Sequence, residues 1–333
     1  MRISLRGLAV LTALTALAAA ATGCVPIARL AGVSREHRVF VSNMKDGTVS
    51  VLSSDPGTPT ETISVGNGPA GLAARVVPPL VAVAVASAKR VSFIDPIGLQ
   101  VVRSVDLRDV PEFLAFSSDG TLLFATLPKT NSVAVIEADS GRVRDPIRLK
   151  QPPKRLVASP DGRQLFVLQH ARPGSVAVVD IDTRKVESTI AIGAFPTDLG
   201  LSRDGYRLLT ANFDNDNVSV IDTVTRRAIA TWHVDTGLGL LVHPTEPLAY
   251  SMASFDSKVV VLNYDTGKVV TTLATGEFPI YSAITPDGRF LYVVNRNSNT
   301  VAKVDTHSNA VVHRYDVGIT PIDAVVVEPP AAR

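Results

Sequence analysis

Short apolar runs alternate with clusters of turn residues along most of this chain. In one clear unit, Pro286-Asp287-Gly288 precedes an apolar run at 290–294, and a polar loop at 295–299 precedes a second run at 301–304. Side-chain character alternates with a period of two, and Gly, Pro, Asn and Asp mark the breaks. This pattern predicts β-strands joined by tight turns.

The unit recurs along the chain. Its hairpin position is occupied in turn by Asp119, Asp161, Asp204, Thr245 and Asp287, which are spaced 41 to 43 residues apart. In the Asp-Gly copies, the glycine allows the positive φ that a tight hairpin needs. A period of this length accommodates four strands and four turns, which is the size of one β-propeller blade.

The number of blades follows from the first, innermost strand of each unit. Seven such strands are predicted, near residues 70–75, 112–117, 154–159, 197–202, 238–243, 280–285 and 321–327. The run at 38–43 matches the second strand of a unit, so the strand at 321–327 should complete the blade that residues 38–65 begin. The prediction is an all-β, seven-bladed β-propeller over residues 38–328, with four antiparallel strands per blade and no open sheet edge at its ends. A short tail, 329–333, follows it.

The clearest unit also carries a family resemblance. Leu291-Tyr292-Val293-Val294-Asn295, followed by the strand at 301–305, resembles the YVTN type of β-propeller repeat, whose family includes bacterial surface-layer-like and periplasmic proteins. The resemblance covers residues 38–328, although the turn at 54–60 is lengthened and Pro78-Pro79-Leu80 replaces the second Asp-Gly hairpin. It implies the fold and leaves the function open, because propellers host many unrelated activities.

The N-terminal segment predicts export. Arg2 and Arg6 precede an uncharged apolar run at 8–21, which is short for a membrane span and typical of a signal peptide. Ala21-Thr22-Gly23-Cys24 resembles a bacterial lipobox, so residues 1–23 are a predicted lipoprotein signal peptide, Cys24 the lipid attachment site and 24–37 a tether. The alternative is an ordinary signal peptide, with Cys24 incidental. The expected location is the membrane surface, facing the periplasm or the cell exterior.

Charge narrows the choice of partners. The chain has 33 Lys and Arg and 31 Asp and Glu, and removing residues 1–23 takes away only Arg2 and Arg6, which leaves 31 of each. A mature chain without net charge lacks the long-range field that attracts polyanions. Nucleic acid is therefore the least favoured partner.

Catalytic and cofactor motifs are weak. The stretch 66–71 matches GxGxxG, but only six residues separate it from Pro78-Pro79, too few for the helix that would bind a dinucleotide, so a turn between blades is predicted. The run 214–217 is acidic but lacks the later ligands of a calcium loop. We predict no cofactor, metal site or catalytic residue, and the sequence favours a non-enzymatic role while leaving catalysis open.

Candidate ligand-facing residues come from the loops between second and third strands, which should share one end of the propeller with the connections between blades. The predicted set is polar and of mixed charge: Asn43, Lys89, Arg90, Asn131, His170, Arg172, Asn212, Asp214, Asp256, Asn295 and Arg296, with Lys45, Asp46, Lys129 and Asp216 beside them. Such a surface suits a protein, peptide or glycan. The alternative is that these loops are merely solvated.

Three functions remain open at this point. The first is a binding or scaffold protein of the cell envelope, held at the membrane by Cys24. The second is a hydrolase resembling lactonase propellers, for which His170, Asp214 and Asp256 are the candidate residues. The third is binding of single-stranded nucleic acid, which needs basic residues and stacking aromatics; Phe213 and Phe255 are the aromatics in the predicted set.

Overall fold

The computed structural model describes residues 37–58 and 60–328, which form seven four-stranded antiparallel sheets. The innermost strand of each sheet packs against the innermost strand of the next, and the last packs against the first, so the sheets close a ring around a central channel. The predicted seven-bladed β-propeller is confirmed. The predicted signal peptide, Cys24, the tether before His37 and the tail 329–333 lie outside the described residues.

The strands are named in chain order and grouped by their position in a blade. The innermost strands are β4 (Pro69–Arg75), β8 (Leu114–Phe116), β12 (Pro153–Ala158), β16 (Pro196–Leu201), β20 (Gly239–Val242), β24 (Pro279–Ile284) and β28 (Pro321–Val327). The second strands are β1 (Arg38–Asn43), β5 (Leu80–Val85), β9 (Leu122–Leu127), β13 (Gln164–Gln169), β17 (Arg207–Asn212), β21 (Leu248–Ala253) and β25 (Phe290–Asn295).

The third strands are β2 (Thr48–Ser53), β6 (Arg90–Asp95), β10 (Ser132–Glu137), β14 (Gly174–Asp180), β18 (Asn217–Asp222), β22 (Lys258–Asn263) and β26 (Thr300–Asp305). The outermost strands are β3 (Glu61–Ser64), β7 (Gln100–Asp106), β11 (Val143–Arg148), β15 (Lys185–Ile192), β19 (Arg227–His233), β23 (Lys268–Leu273) and β27 (Ala310–Asp316). Short 3-10 turns lie at Ala86–Ala88, Pro128–Thr130, Phe213–Asn215 and Ser254–Asp256.

The ends of the chain close the ring. Strand β28 pairs antiparallel with β1, with Val326 opposite Val39 and Val325 opposite Phe40. Blade 1 therefore consists of β28 and β1–β3, and blades 2 to 7 follow in groups of four from β4. The expectation that the C-terminal strand completes the N-terminal blade is confirmed.

Burial explains the sequence pattern. Every residue of β5 is buried, whereas most residues of the outermost strand β7 are exposed. Middle strands read as continuous apolar runs because neighbouring blades cover both of their faces, and outermost strands turn one face to solvent. The largest fully buried side chains include Phe40, Phe93 and Tyr292.

The Asp-Gly hairpins are held by a repeated hydrogen-bonded turn. In blade 4, the Ser159 hydroxyl donates to Asp161 Oδ1 at 2.5 Å, and the same oxygen accepts the Arg163 backbone N–H at 3.1 Å. The hydrogen bond from Ser159 lowers the pKa of Asp161 below its ordinary value. The aspartates of the other Asp-Gly hairpins accept a backbone N–H in the same way.

Blade 6 builds the same turn with a histidine. His243 Nδ1 lies 3.2 Å from the Thr245 backbone N and 3.0 Å from the Glu246 backbone N, so it accepts and Nε2 carries the proton. Nε2 donates to the Gly288 carbonyl at 3.1 Å. His243 thus occupies the position that Ser159 holds in the turn of blade 4.

Two further features of the described chain bear on the sequence motifs. The GxGxxG match leads directly into β4 without a helix, and the Gly68 N–H donates to the Met44 carbonyl at 3.3 Å, as expected for a turn between blades. Within the described ranges, no helix has the length and apolar character needed to cross a membrane.

Candidate functional site: the loop face and the channel mouth

One end of the ring gathers the loops between second and third strands and the connections between blades. Backbone hydrogen bonds join the two sets: Leu107 N–H donates to the Lys89 carbonyl at 2.7 Å, and Leu149 N–H donates to the Asn131 carbonyl at 2.8 Å. We call this end the loop face. The prediction that the two sets of loops share one end is confirmed.

Three of the predicted site residues are buried amides. Asn43, Asn212 and Asn295 each end a second strand and have no solvent-exposed surface. Asn212 Nδ2, for example, donates to Asn217 Oδ1 and to Ser219 Oγ, both at 2.8 Å. These side chains hold the loops in place from inside the blades and do not face solvent.

Other predicted residues lie apart on blades 2 and 3. Lys89 and Asn131 end 3-10 turns with left-handed φ values of 51° and 47°, and Arg90 begins the neighbouring strand β6. The Lys89 and Asn131 carbonyls each accept a backbone N–H from the connection that follows their own blade. The structure does not bring them into one cluster with His170.

Three predicted residues do meet, between blades 4 and 5. Arg172 forms an ion pair with Asp214, and its guanidinium carbon lies 4.8 Å from the centre of the Phe195 ring. His170 packs edge-on against the same ring with centroids 4.6 Å apart, and its Nδ1 lies 2.8 Å from the Pro196 carbonyl oxygen. Asp256 lies elsewhere, in blade 6, 3.4 Å from Lys258 Nζ. The proposed hydrolase residues are therefore not brought to one point.

Phenylalanines follow the loop face across blades 4 to 7. The Phe213 and Phe255 rings are 5.4 Å apart, and the Phe255 and Phe278 rings are 5.2 Å apart. Phe195 is joined to this row because its carbonyl accepts the Phe213 N–H at 3.2 Å. We call these four residues the aromatic arc. Phe255 is 66% exposed, and the other three are half-buried.

Two residues of the arc adopt an unfavourable backbone. Phe195 and Phe278 have φ values of 48° and 54°, and each precedes a proline. The left-handed region costs an L-residue with a side chain roughly 1–2 kcal/mol, and a following proline favours extended backbone instead. At the corresponding position before Pro69, the chain uses Gly68.

The channel mouth below the loop face is lined by one residue from each blade, which lies in the innermost strand or directly before it. Around the ring these residues are Asp323, Gly71, Phe113, Arg155, Asp198, Gly239 and Tyr281, which we call the channel ring. In six of the seven blades, a proline lies two positions earlier.

Arg155 crosses the channel and joins the ring together. Its Nη1 and Nη2 donate to the two carboxylate oxygens of Asp323 at 3.1 and 3.0 Å, and its Nε lies 3.3 Å from Asp198 Oδ1. The guanidinium carbon is 4.0 Å from the ring centres of both Phe113 and Tyr281. A buried arginine paired this way is bound by charge, by directed hydrogen bonds and by aromatic faces.

The two blades without a ring side chain contribute backbone groups. Leu72 N–H, after Gly71, donates to Asp323 at 3.0 Å, and Leu240 N–H, after Gly239, donates to Asp198 at 2.8 Å. A Cβ atom on Gly239 would lie 1.9 Å from the Ile280 carbonyl oxygen, so only glycine allows this approach. All seven blades therefore contact one buried charge cluster.

Burial changes the protonation of this cluster. Burial raises the pKa of Asp198 to about 6, although Arg155 and the backbone N–H groups of Leu240 and Leu199 oppose the shift. Burial also disfavours the charged form of Arg155, but the attraction of Asp323 and Asp198 is stronger than this effect. The pKa of Arg155 therefore rises above its ordinary value. At neutral pH the arginine thus remains charged between two buried carboxylates.

Sequence reasoning missed the channel ring. Its members share a position but not a residue type, so no repeated residue marks them. The available signal is the proline two positions earlier together with the rarity of a charged residue inside an innermost strand. Reading Lys154-Arg155, Asp198 and Asp323 at that position would have identified the cluster.

Comparison with known proteins agrees with this fold. Residues 121–328 match the family model described as Cytochrome D1 heme domain, and residues 1–149 match the model described as YNCE-like beta-propeller. Hydrazine synthase from Kuenenia stuttgartiensis is similar in structure, with a TM-score of 0.74 at 20% identity, over 80% of this chain and 92% of that one. A functionally unknown protein from Desulfotomaculum acetoxidans DSM 771 has a TM-score of 0.76 at 14% identity, over 88% and 99% of the two chains. Both likenesses concern the fold alone. No curated protein sequence matches the chain.

The first of these family descriptions raises the question of heme. Heme iron is held by His, Cys, Met or Tyr side chains. The innermost strands described above contain no His, Cys or Met, and their one tyrosine, Tyr281, packs against Arg155. His170 lies outside the channel on the loop face, where Nδ1 contacts the Pro196 carbonyl. Since Arg155 and its partners fill the channel mouth, the described channel does not fit a heme.

Proposed function

We propose that this chain, which belongs to the family of the Cytochrome D1 heme domain, is a binding protein that presents its loop face to a protein or peptide partner in the cell envelope. The observation that carries this proposal is the closure of the channel mouth by Arg155 and its aromatic and acidic partners. With its own side chains occupying the axis, the propeller offers its accessible polar and aromatic groups on the loop face above.

The proposal is tested by photo-cross-linking in intact cells. A photoreactive residue at position 255 on the loop face is compared with one at Val224, which is 70% exposed and lies between β18 and β19 at the opposite end of the ring. We expect one reproducible protein adduct from position 255, weaker or lost in a Cys24→Ala background, and no matching adduct from position 224.

Two outcomes would contradict the proposal. The same adducts from positions 255 and 224 would show that contact is not specific to the loop face. Recovery of the cross-linkable protein without any adduct, at native abundance and in its native membrane, would show that the loop face has no protein partner.

A further inference from the structure

We infer that the aromatic arc on blades 4 to 7 is the docking site for a basic peptide segment with apolar side chains, supplied by the partner protein. The inference rests on the proposed function and deepens it by naming the chemistry of the partner. It combines three observations of the arc: its exposure, the residues that its blade connections place before a proline, and the charges that surround it.

The exposure of the arc suits an anchoring surface. Phe255 is 66% exposed although it lies between two other aromatic rings, at 5.4 Å from Phe213 and 5.2 Å from Phe278. Aromatic side chains clustered in this way dominate the binding energy of many interfaces, because they bury a large area for little loss of rotamer freedom. Three contiguous rings therefore provide room for apolar side chains of a bound segment.

Two of the phenylalanines occupy a left-handed backbone position before a proline. The chain places Gly68 at this position before Pro69 and Thr320 before Pro321, whereas it places a phenylalanine before Pro196 and before Pro279. Among the described blade connections, an aromatic residue therefore occupies this position only in the arc. One part of the Phe278 side chain packs against the edge of the core. The other part is exposed and can contact a ligand.

The charges around the arc select a cationic partner. The loops that carry it contain five carboxylates and three cationic side chains: Asp214, Asp216, Asp235, Asp256 and Glu277 against Arg172, Lys258 and Arg296. Lys258 and Arg172 are already paired, with Asp235 and Asp214 respectively. Phosphates of a nucleic acid would meet this excess of negative charge, whereas lysine or arginine side chains of a peptide would be attracted to it.

The test uses the propeller without its signal peptide and three fluorescein-labelled probes. They are a dodecapeptide that repeats Lys-Leu-Ser, the matched peptide that repeats Glu-Leu-Ser, and an oligothymidylate of twelve nucleotides. Fluorescence anisotropy should show saturable binding of the lysine peptide at low salt, at least tenfold weaker binding of the glutamate peptide, and no saturable binding of the oligonucleotide.

Variants assign the binding to the arc. Phe278→Gly and Phe255→Ala should each weaken binding of the lysine peptide at least tenfold. Glycine suits the left-handed backbone at position 278 but removes the packing of the ring against the core, so the melting temperature of Phe278→Gly is measured beside its affinity. Thr320→Gly is the matched control, since Thr320 has a φ of 57° before Pro321 but lies outside the arc. It should bind as the unchanged protein does. If Phe278→Gly does not fold, the exposed Phe255→Ala decides.

The inference is overturned if both arc variants bind the lysine peptide as tightly as Thr320→Gly, or if the glutamate peptide or the oligonucleotide binds better than the lysine peptide. These outcomes leave the proposed function standing if position 255 still cross-links to a protein in cells. Conversely, if position 255 gives no protein adduct in cells while the purified propeller still binds the lysine peptide through the arc, the arc site stands and the proposed protein partner is wrong.

Discussion

Arg155→Met is the substitution that most directly tests the role of the channel cluster. Methionine approximates the length of the arginine stem, so it can remain between Phe113 and Tyr281, but it removes the cation that contacts both Asp198 and Asp323. Removing one partner of a buried ion pair costs about 3–5 kcal/mol, because the remaining charge is left buried without compensation. We therefore expect a large loss of stability at neutral pH.

The expected loss is measurable by standard unfolding experiments. Melting followed by circular dichroism, or by the fluorescence of Trp232, should show a decrease on the order of 10 °C for Arg155→Met at pH 7.5. The triple variant Arg155→Met/Asp198→Asn/Asp323→Asn should recover most of this decrease, because it buries no charge. A melting temperature for Arg155→Met equal to that of the unchanged protein would refute the assignment of Arg155 as the residue that joins the blades.

The same cluster predicts a pH dependence with a defined sign. The folded-state pKa of Asp198 is about 6, above its value of 3.8 in a model compound, so the folded protein binds more protons than the unfolded chain between these values. The contribution of Asp198 to stability therefore falls as pH rises from 4 to 6, by up to about 3 kcal/mol, and is constant above that window. Asp198→Asn should remove this slope, and an identical slope in the variant would contradict the argument.

Three further predictions concern other parts of the fold. Gly239→Ala should destabilise the protein by about 3 kcal/mol in a denaturant titration, because the new Cβ would lie 1.9 Å from the Ile280 carbonyl oxygen. Gly57→Ala is the control: its new Cβ would have its nearest contact at 3.5 Å, so the denaturation midpoint should change little. Asp161→Ala should lower the free energy of unfolding by about 1 kcal/mol at pH 7, because it removes the hydrogen bonds of the turn. The difference from the unchanged protein should shrink as acid protonates the native carboxylate, whose pKa lies below 3.8. A difference in melting temperature that persists at pH 2.5 would contradict this. Hemin titrated into the protein should keep the absorption spectrum of free hemin, and a sharp Soret band at a one-to-one ratio would show that the channel mouth opens.

The repeat made the architecture predictable because propeller blades follow local rules. The Asp-Gly hairpins, the alternating strands and the period of 41 to 43 residues depend on contacts within one unit, and each is visible in a window of one blade. The join of β28 to β1 was also predictable, because the first and last runs were out of phase with the unit by one strand. Such features are determined by turn geometry and by two-sided burial.

The candidate site was only partly predictable because it depends on contacts between distant units. Arg155 and Asp323 are 168 positions apart, and their contact follows from ring closure rather than from any local pattern. Asn212 looked like a loop residue from its neighbours, yet its amide is buried because the connection of the blade folds over it. The left-handed backbone of Phe278 was hidden as well, since Phe-Pro reads from sequence as an extended segment.

The channel cluster and the aromatic arc support one another physically. The cluster holds the channel-ring residue of every blade in place, and the blade connections that carry Phe195 and Phe278 enter their innermost strands just before Asp198 and Tyr281. A connection whose phenylalanine lies three positions before a residue of the buried cluster loses little further freedom when a partner binds, so less of the binding energy is spent on ordering the loop. Weakening the cluster should therefore loosen the arc before it unfolds the propeller. Arg155→Met, studied well below its melting temperature, should lower the affinity for the lysine peptide, although the substitution alters no residue of the arc. Unchanged affinity in that variant would show that the loop face is held by the blades alone.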